Sequence, residues 1–164
     1  MKRLIGFSLL TLFLTGCVFR PKAPDDWYKE TLQYYSEGFS GGWKNERSDL
    51  YIGDEMKDEK NKFGYLLKDL DGDGTKELLI GCMDDAAETR FTDIFIYHSD
   101  YGAFRIIHAG DGYYLYLCED NIVREDSWYG SNTKTSYMKY LPKDNSFLIL
   151  DKEASPQKFT LTAF

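Results

Sequence analysis

The sequence predicts an α+β domain in which one N-terminal helix packs on an antiparallel β-meander of about six to eight strands. Three observations carry that expectation. An amphipathic helical stretch opens the globular part, and from Phe63 onward short apolar runs recur about every ten residues between turn residues. The connections between those runs are also too short for parallel crossovers, which take roughly a dozen residues or more.

Residues 1–16 have the layout of an export leader. Lys2 and Arg3 give a positive start, and residues 4–14 form an apolar run that stops at Thr15-Gly16-Cys17. The run is too short to cross a hydrocarbon core of about 30 Å, which needs roughly 20 helical residues. Residues 17–24, with Arg20, Pro21, Lys22 and Pro24, read as a tether, and a single globular domain is expected over 25–164. Asp25 is placed to cap a helix in which Tyr28, Leu32, Tyr35 and Phe39 share a face, with Gly38 and Gly41-Gly42 ending it. Residues 43–61 read as polar and mostly irregular. Strands are expected over 63–68, 77–82, 91–98, 103–109, 113–118, 121–128, 135–141 and 147–150, with the last dozen residues loosely attached. No long-period repeat is present, which excludes a complete propeller.

Leu14-Thr15-Gly16-Cys17 resembles the lipobox of bacterial lipoproteins. The resemblance implies cleavage before Cys17, diacylglyceryl attachment to its thiol, and residence at the extracytoplasmic face of the cell membrane. Two acyl chains, at about 0.8 kcal/mol per buried methylene, make such an anchor effectively permanent. The chain holds 20 basic and 27 acidic side chains, for −7, and losing Lys2 and Arg3 with the leader leaves about −9. That surface argues against nucleic acid and anionic lipid headgroups as partners and leaves an envelope protein, peptide or glycan. Cys82 and Cys118 remain in an exported chain where a disulfide is permitted, but both sit in apolar runs that equally suit buried free thiols.

The strongest chemical signal is Asp69-Leu70-Asp71-Gly72-Asp73-Gly74-Thr75-Lys76-Glu77 between two strands. Calcium takes six to eight hard oxygen ligands, and this spacing offers Asp69, Asp71, Asp73 and Glu77 side chains with the Thr75 carbonyl. Four acids in nine residues would otherwise repel one another. Position twelve of an EF-hand would be Ile80 where a bidentate Glu belongs, so this is no EF-hand. With Leu78-Leu79-Ile80-Gly81 following, the segment resembles the strand-loop-strand calcium loop of FG-GAP and VCBS repeats, with Glu77 in place of the commoner Asp. The expected ion is structural, held in the ~0.1 to 1 mM range of extracellular modules. Over its length the chain is also similar to a group of uncharacterised lipoproteins of Gram-positive bacteria. That likeness rests on the Tyr-rich helix, the Leu67-to-Gly74 loop and the run Tyr113-Tyr114-Leu115-Tyr116-Leu117-Cys118-Glu119-Asp120-Asn121, and it implies fold and location with no activity.

No Gly-x-Ser-x-Gly elbow, His-Glu-x-x-His, phosphate-binding glycine loop or Cys-x-x-Cys is present, so a non-enzymatic domain is expected. A two-residue turn at Tyr101-Gly102 would oppose His98 to Arg105 and His108 to Phe95, on opposite faces and unable to share a metal. Asp84, Asp85 and Glu88 read as solvated acids; a glycosidase-like acid pair is the rival reading. The 13 Tyr, 11 Phe and 3 Trp supply more rings than one core needs. Alternation puts Tyr114 and Tyr116 on one face, with Trp128 on the next strand, a platform for sugar rings or a peptide unless the helix covers it.

Overall fold

The computed structural model describes residues 24–164 apart from 45, 85, 101 and 111. The expected leader, Cys17 and most of the tether lie outside the described residues. Among the described residues no helix is long and apolar enough to cross a membrane.

The expected helix starts at Pro24 and breaks at Tyr28 into α1 (Pro24–Trp27) and α2 (Lys29–Gly41), so Asp25 falls inside α1 instead of capping it. Tyr28 is spent on the core: it is fully buried, and its hydroxyl donates to the Phe95 carbonyl at 3.4 Å. Thr31, Tyr35 and Gly38 continue the buried face, with Leu32 and Phe39 half-buried beside it. At the end of α2 the Gly42 and Trp43 amides both return to the Gly38 carbonyl, which folds the Trp43 ring back across Gly38.

Residues 43–61 are more than a polar connection. They include α3 (Asp54–Lys57) and bury Trp43, Leu50, Ile52 and Met56 beside the helix. These apolar residues follow no helical or strand period, because each reaches the core from irregular backbone. The Trp43 indole is satisfied by the Met56 carbonyl at 3.0 Å.

Among the described residues nine strands follow in one antiparallel sheet: β1 (Phe63–Lys68), β2 (Glu77–Cys82), β3 (Arg90–His98), β4 (Gly102–His108), β5 (Tyr113–Leu117), β6 (Val123–Tyr129), β7 (Asn132–Leu141), β8 (Ser146–Leu150) and β9 (Thr162–Ala163). Their order is β8-β7-β6-β5-β3-β2-β1-β9, and β4 also pairs with β3. The simple meander is therefore corrected: β4 and β5 share one edge of β3, β4 along its C-terminal half and β5 along its N-terminal half. The tail is not loose either. Residues 151–161 lay Phe159 and Leu161 on the sheet, bond to Leu117 and Thr89 through Gln157, and deliver β9 to the outer edge of β1.

The sheet has an apolar cluster on each face. On the first face, Phe63, Leu78, Ile80, Cys82 and Phe95 pack under α2 and residues 43–61. On the second, Leu79, Phe91, Ile94, Leu115, Leu117 and Val123 pack with Leu70 and the tail.

A methyl group on Gly38 would sit 2.4 Å from the Trp43 ring. Alanine's helix propensity favours the substitution by about 1 kcal/mol, while forced overpacking costs about 1 to 3 kcal/mol. Gly38→Ala is thus expected to lower the melting temperature by a few degrees, where propensity alone would raise it. An unchanged or higher Tm by calorimetry would show that the helix slides freely off Trp43.

Candidate functional site

The turn between β1 and β2 is built by its own side chains. Asp69 Oδ1 accepts the Gly72 amide at 2.6 Å and Oδ2 the Gly74 amide at 2.9 Å; Asp71 accepts from Asp73 at 2.9 Å and Asp73 from Thr75 at 2.6 Å. Gly72 and Gly74 take φ of 85° and 89°, which L side chains resist. Glu77 is buried at the start of β2, where Oε2 accepts the Leu70 amide at 2.6 Å. One carboxylate oxygen from each of Asp69, Asp71 and Glu77 lies within 4.8 Å of the others. Asp73 is not in that trio; its side chain is exposed on the rim, and Thr75 is half-buried beside it.

Support comes from a residue that spacing did not single out. In the 3-10 turn Glu119–Asn121, Asn121 donates to the Asp69 carbonyl at 2.8 Å and to that of Leu70 at 3.2 Å, tying the loop to the β5–β6 connection.

Burial pushes the Glu77 carboxyl up to about 7, the Leu70 amide opposes this, and Asp71, Asp73 and Asp69 add repulsion. Asp71 is raised mainly by burial and by the same neighbours. For Asp69 burial acts upward, but the Gly72 and Gly74 amides outweigh it and hold the carboxyl below its ordinary value. Calcium-type cations take six to eight hard oxygen ligands, and three carboxylate oxygens converge here. An amide bond occupies one lone pair of a carboxylate oxygen and leaves the other for a ligand, so the donor set fits.

The strand pairings bring Arg90, Tyr114, Tyr116, Arg124, Asp126 and Trp128 onto the first face, beyond the helix. Tyr114 and Tyr116 are half-buried and Trp128 is 40% exposed. The tyrosine rings are not bare: Arg90 lies over Tyr114 at 4.6 Å and Arg124 over Tyr116 at 4.7 Å, while Trp128 meets Tyr114 edge-on at 4.7 Å. The guanidiniums are paired with Glu55 and Asp126.

A second polar group sits where the helix cover ends. Asp93, fully buried, accepts from Tyr35 at 3.0 Å, Arg105 at 3.0 Å and His108 Nδ1 at 2.7 Å. The carboxylate is acceptor-only, so the network assigns the His108 proton to Nδ1. His108 Nε2 is buried without a partner among the described residues, beside a cavity of about 200 Å³ lined by Glu55, Thr92, Gly110, Gly112 and Tyr114. The expected histidine register is corrected. The turn is longer, so His98 opposes Gly102, and a bulge at Ile94/Phe95 sets His108 opposite Asp93. The sequence carried no signal for this bulge.

Cys82 and Cys118 are buried free thiols, so the permitted disulfide is not formed. The acid run holds ion pairs: Asp84 meets Arg90 and Lys158, and Glu88 meets Arg124, while Asp85 lies outside the described residues. Comparison with protein-family models, curated proteins and solved structures finds no match to this chain.

Because the folded-state value of Glu77 lies above the ordinary 4.5, the fold holds this proton more tightly than the unfolded chain does. In chelator, the contribution of Glu77 should therefore be fully present below about 4.5 and be lost as pH rises toward about 7. Denaturation midpoints across that window should fall in the parent and fall less in Glu77→Gln. Parallel profiles would place the Glu77 carboxyl in water.

Proposed function

We propose that this chain is a membrane-anchored, calcium-stabilised, non-catalytic binding domain at the extracytoplasmic face of the cell membrane. The observation that carries the calcium assignment is the convergence of the Asp69, Asp71 and Glu77 carboxylates across a turn whose amides already hold it closed. These three would hold the ion, with Asp73, the Thr75 carbonyl and water completing its shell. The anchor rests on the lipobox ending at Cys17.

The binding surface is the part of the first face that α2 leaves open, over β5 to β8. Its occupant is an envelope protein or peptide. A glycan reading is favoured by the exposed Trp128, but the rings of Tyr114 and Tyr116 are tiled by arginines, which leaves less flat surface for sugar stacking. An enzymatic reading is favoured by the His108–Asp93 pair beside its cavity. Against it, both Asp93 oxygens are committed to structural donors on α2 and β4.

With 1 mM free calcium and a dissociation constant near 0.1 mM, linkage stabilises the fold by ~1.4 kcal/mol, or a few degrees of Tm. Asp71→Asn/Asp73→Asn should remove that difference while raising Tm in chelator. Equal melting of the parent in calcium and in chelator, with no heat of binding at millimolar calcium, would reduce the loop to an acidic turn. Separately, Cys17→Ser should abolish fatty-acid labelling and release the chain from bacterial membranes; labelling that persists in the variant would end the lipoprotein reading.

A further inference from the structure

Two buried side-chain polar atoms have no partner among the described residues, Arg90 Nε and His108 Nε2. A buried polar atom left unanswered is costly, so each asks for a reason. The second has space in front of it. His108 lines a cavity of about 200 Å³ between α3 and the sheet, with Glu55 and Met56 on one side and Thr92 and Tyr114 on the other. A methyl group on Gly110, which shares that wall, would lie 4.0 Å from His108 Cδ2, so the ring edge that carries Nε2 is turned to this space.

The chemistry of that edge is set from behind. Asp93 accepts from Nδ1 at 2.7 Å, which leaves Nε2 as a lone-pair acceptor. Arg105, 3.0 Å from Asp93, already balances its charge and stands 3.5 Å from Nδ1, so a second positive charge on the ring would be unmatched. Glu55 is balanced in the same way by Arg90, and the Thr92 hydroxyl is spent on the Ile80 carbonyl at 3.3 Å. Among the described residues the cavity therefore presents one unanswered acceptor and no uncompensated charge.

We propose that this cavity is a binding site for an uncharged phenolic group whose hydroxyl donates to His108 Nε2. The paired charges call for a neutral ligand, and the single acceptor calls for a single donor. Size supplies the rest: a cavity of about 150 Å³ holds one benzene ring, so this one holds a ring with its hydroxyl and one small substituent. Met56 and Tyr114 offer such a ring a thioether and an aromatic edge. A polyhydroxylated sugar would bury donors that find no acceptor, and a lone water wants two to four polar partners. Among the described residues His108 belongs to no group of three metal-ligating side chains, which disfavours a metal ion.

Two sources carry this chemistry, a tyrosine side chain of a bound peptide and a free phenol. Tyr114 belongs both to the cavity wall and to the open first face, so a peptide lying on that face passes the cavity. The peptide source rests on the binding-surface reading above; the pocket itself does not.

The full chain has two imidazoles, His98 and His108, so nitrogen NMR of 15N-histidine-labelled protein reads Nε2 directly. p-Cresol should move the His108 Nε2 resonance toward its protonated position and leave His98 still. By calorimetry it should bind about tenfold more tightly than toluene, the same ring without the hydroxyl. His108→Asn places an amide N–H where Nδ1 donates to Asp93 and removes the acceptor, so it should erase that preference. Gly110, whose φ is not positive, lies outside the Asp93 network; Gly110→Leu should fill the cavity and abolish binding of both ligands while Nε2 stays unprotonated. N-acetyl-tyrosinamide binding as p-cresol does identifies a peptide side chain, and p-cresol binding alone identifies a free phenol and leaves the pocket standing. Equal affinity for p-cresol and toluene, an Nε2 resonance that p-cresol leaves unmoved, or binding that survives Gly110→Leu overturns the site, and so does a shift produced by zinc and not by p-cresol.

Discussion

A carboxylate removed from water in the middle of a sheet constrains everything packed around it. Asp93 is fully buried on β3, and an unpaired ion there would cost several kcal/mol. Its donors arrive from separate elements: Tyr35 from α2, and Arg105 and His108 from β4. Arg105 also donates to the Tyr51 carbonyl at 2.8 Å, so residues 43–61 are held through the same hub. The bulge in β3–β4 follows from this need. If the pairing of Phe95 with Arg105 ran on unbroken, Asp93 would oppose Ile107; the extra residue at Ile106 brings His108 opposite it.

A sheet of this width needs more cover than the described residues supply. On the first face, α2 and residues 43–61 cover β1 to β3 and stop near His108; on the second, the tail brings Phe159 and Leu161 across to the β1 edge. The uncovered part of the first face is made compatible with water by Arg90 and Arg124. They lie over Tyr114 and Tyr116 and carry their charge into ion pairs with Glu55 and Asp126.

What could be read beforehand was local. β1 and β2 occupy the expected residues, and most other strands lie within a residue or two, because short apolar runs between Gly, Asn and Asp turns leave few alternatives. The carboxylate trio was legible for the same reason, since its members lie within nine residues and a tight turn fixes their convergence. The Asp93 hub was not. Tyr35 is 58 residues away and His108 reaches Asp93 only through a bulge, which no residue type announces. Trp43, Ile52 and Leu161 were missed because their burial comes from irregular backbone laid against the sheet, where periodicity has no meaning.

The loop is local in sequence but not in its electrostatics. Leu70 is buried with the second-face cluster and Glu77 is buried at the head of β2, so the acids cannot separate by moving outward without unpacking core. Their field reaches inward: the Tyr140 hydroxyl is pushed up to about 12 by burial and then by Glu77, Asp71 and Asp73, and Tyr28 is raised by burial and Glu77. A rigid cluster of this kind has two ways to shed charge, a proton on Glu77 or a cation among the three carboxylates, and the two compete for the same oxygens. A proton neutralises one acid; a divalent ion satisfies the group and leaves the Leu70 amide bond in place. The more firmly the core holds Leu70 and Glu77, the more the binding energy of a cation placed among these carboxylates would be felt as stability of the whole sheet.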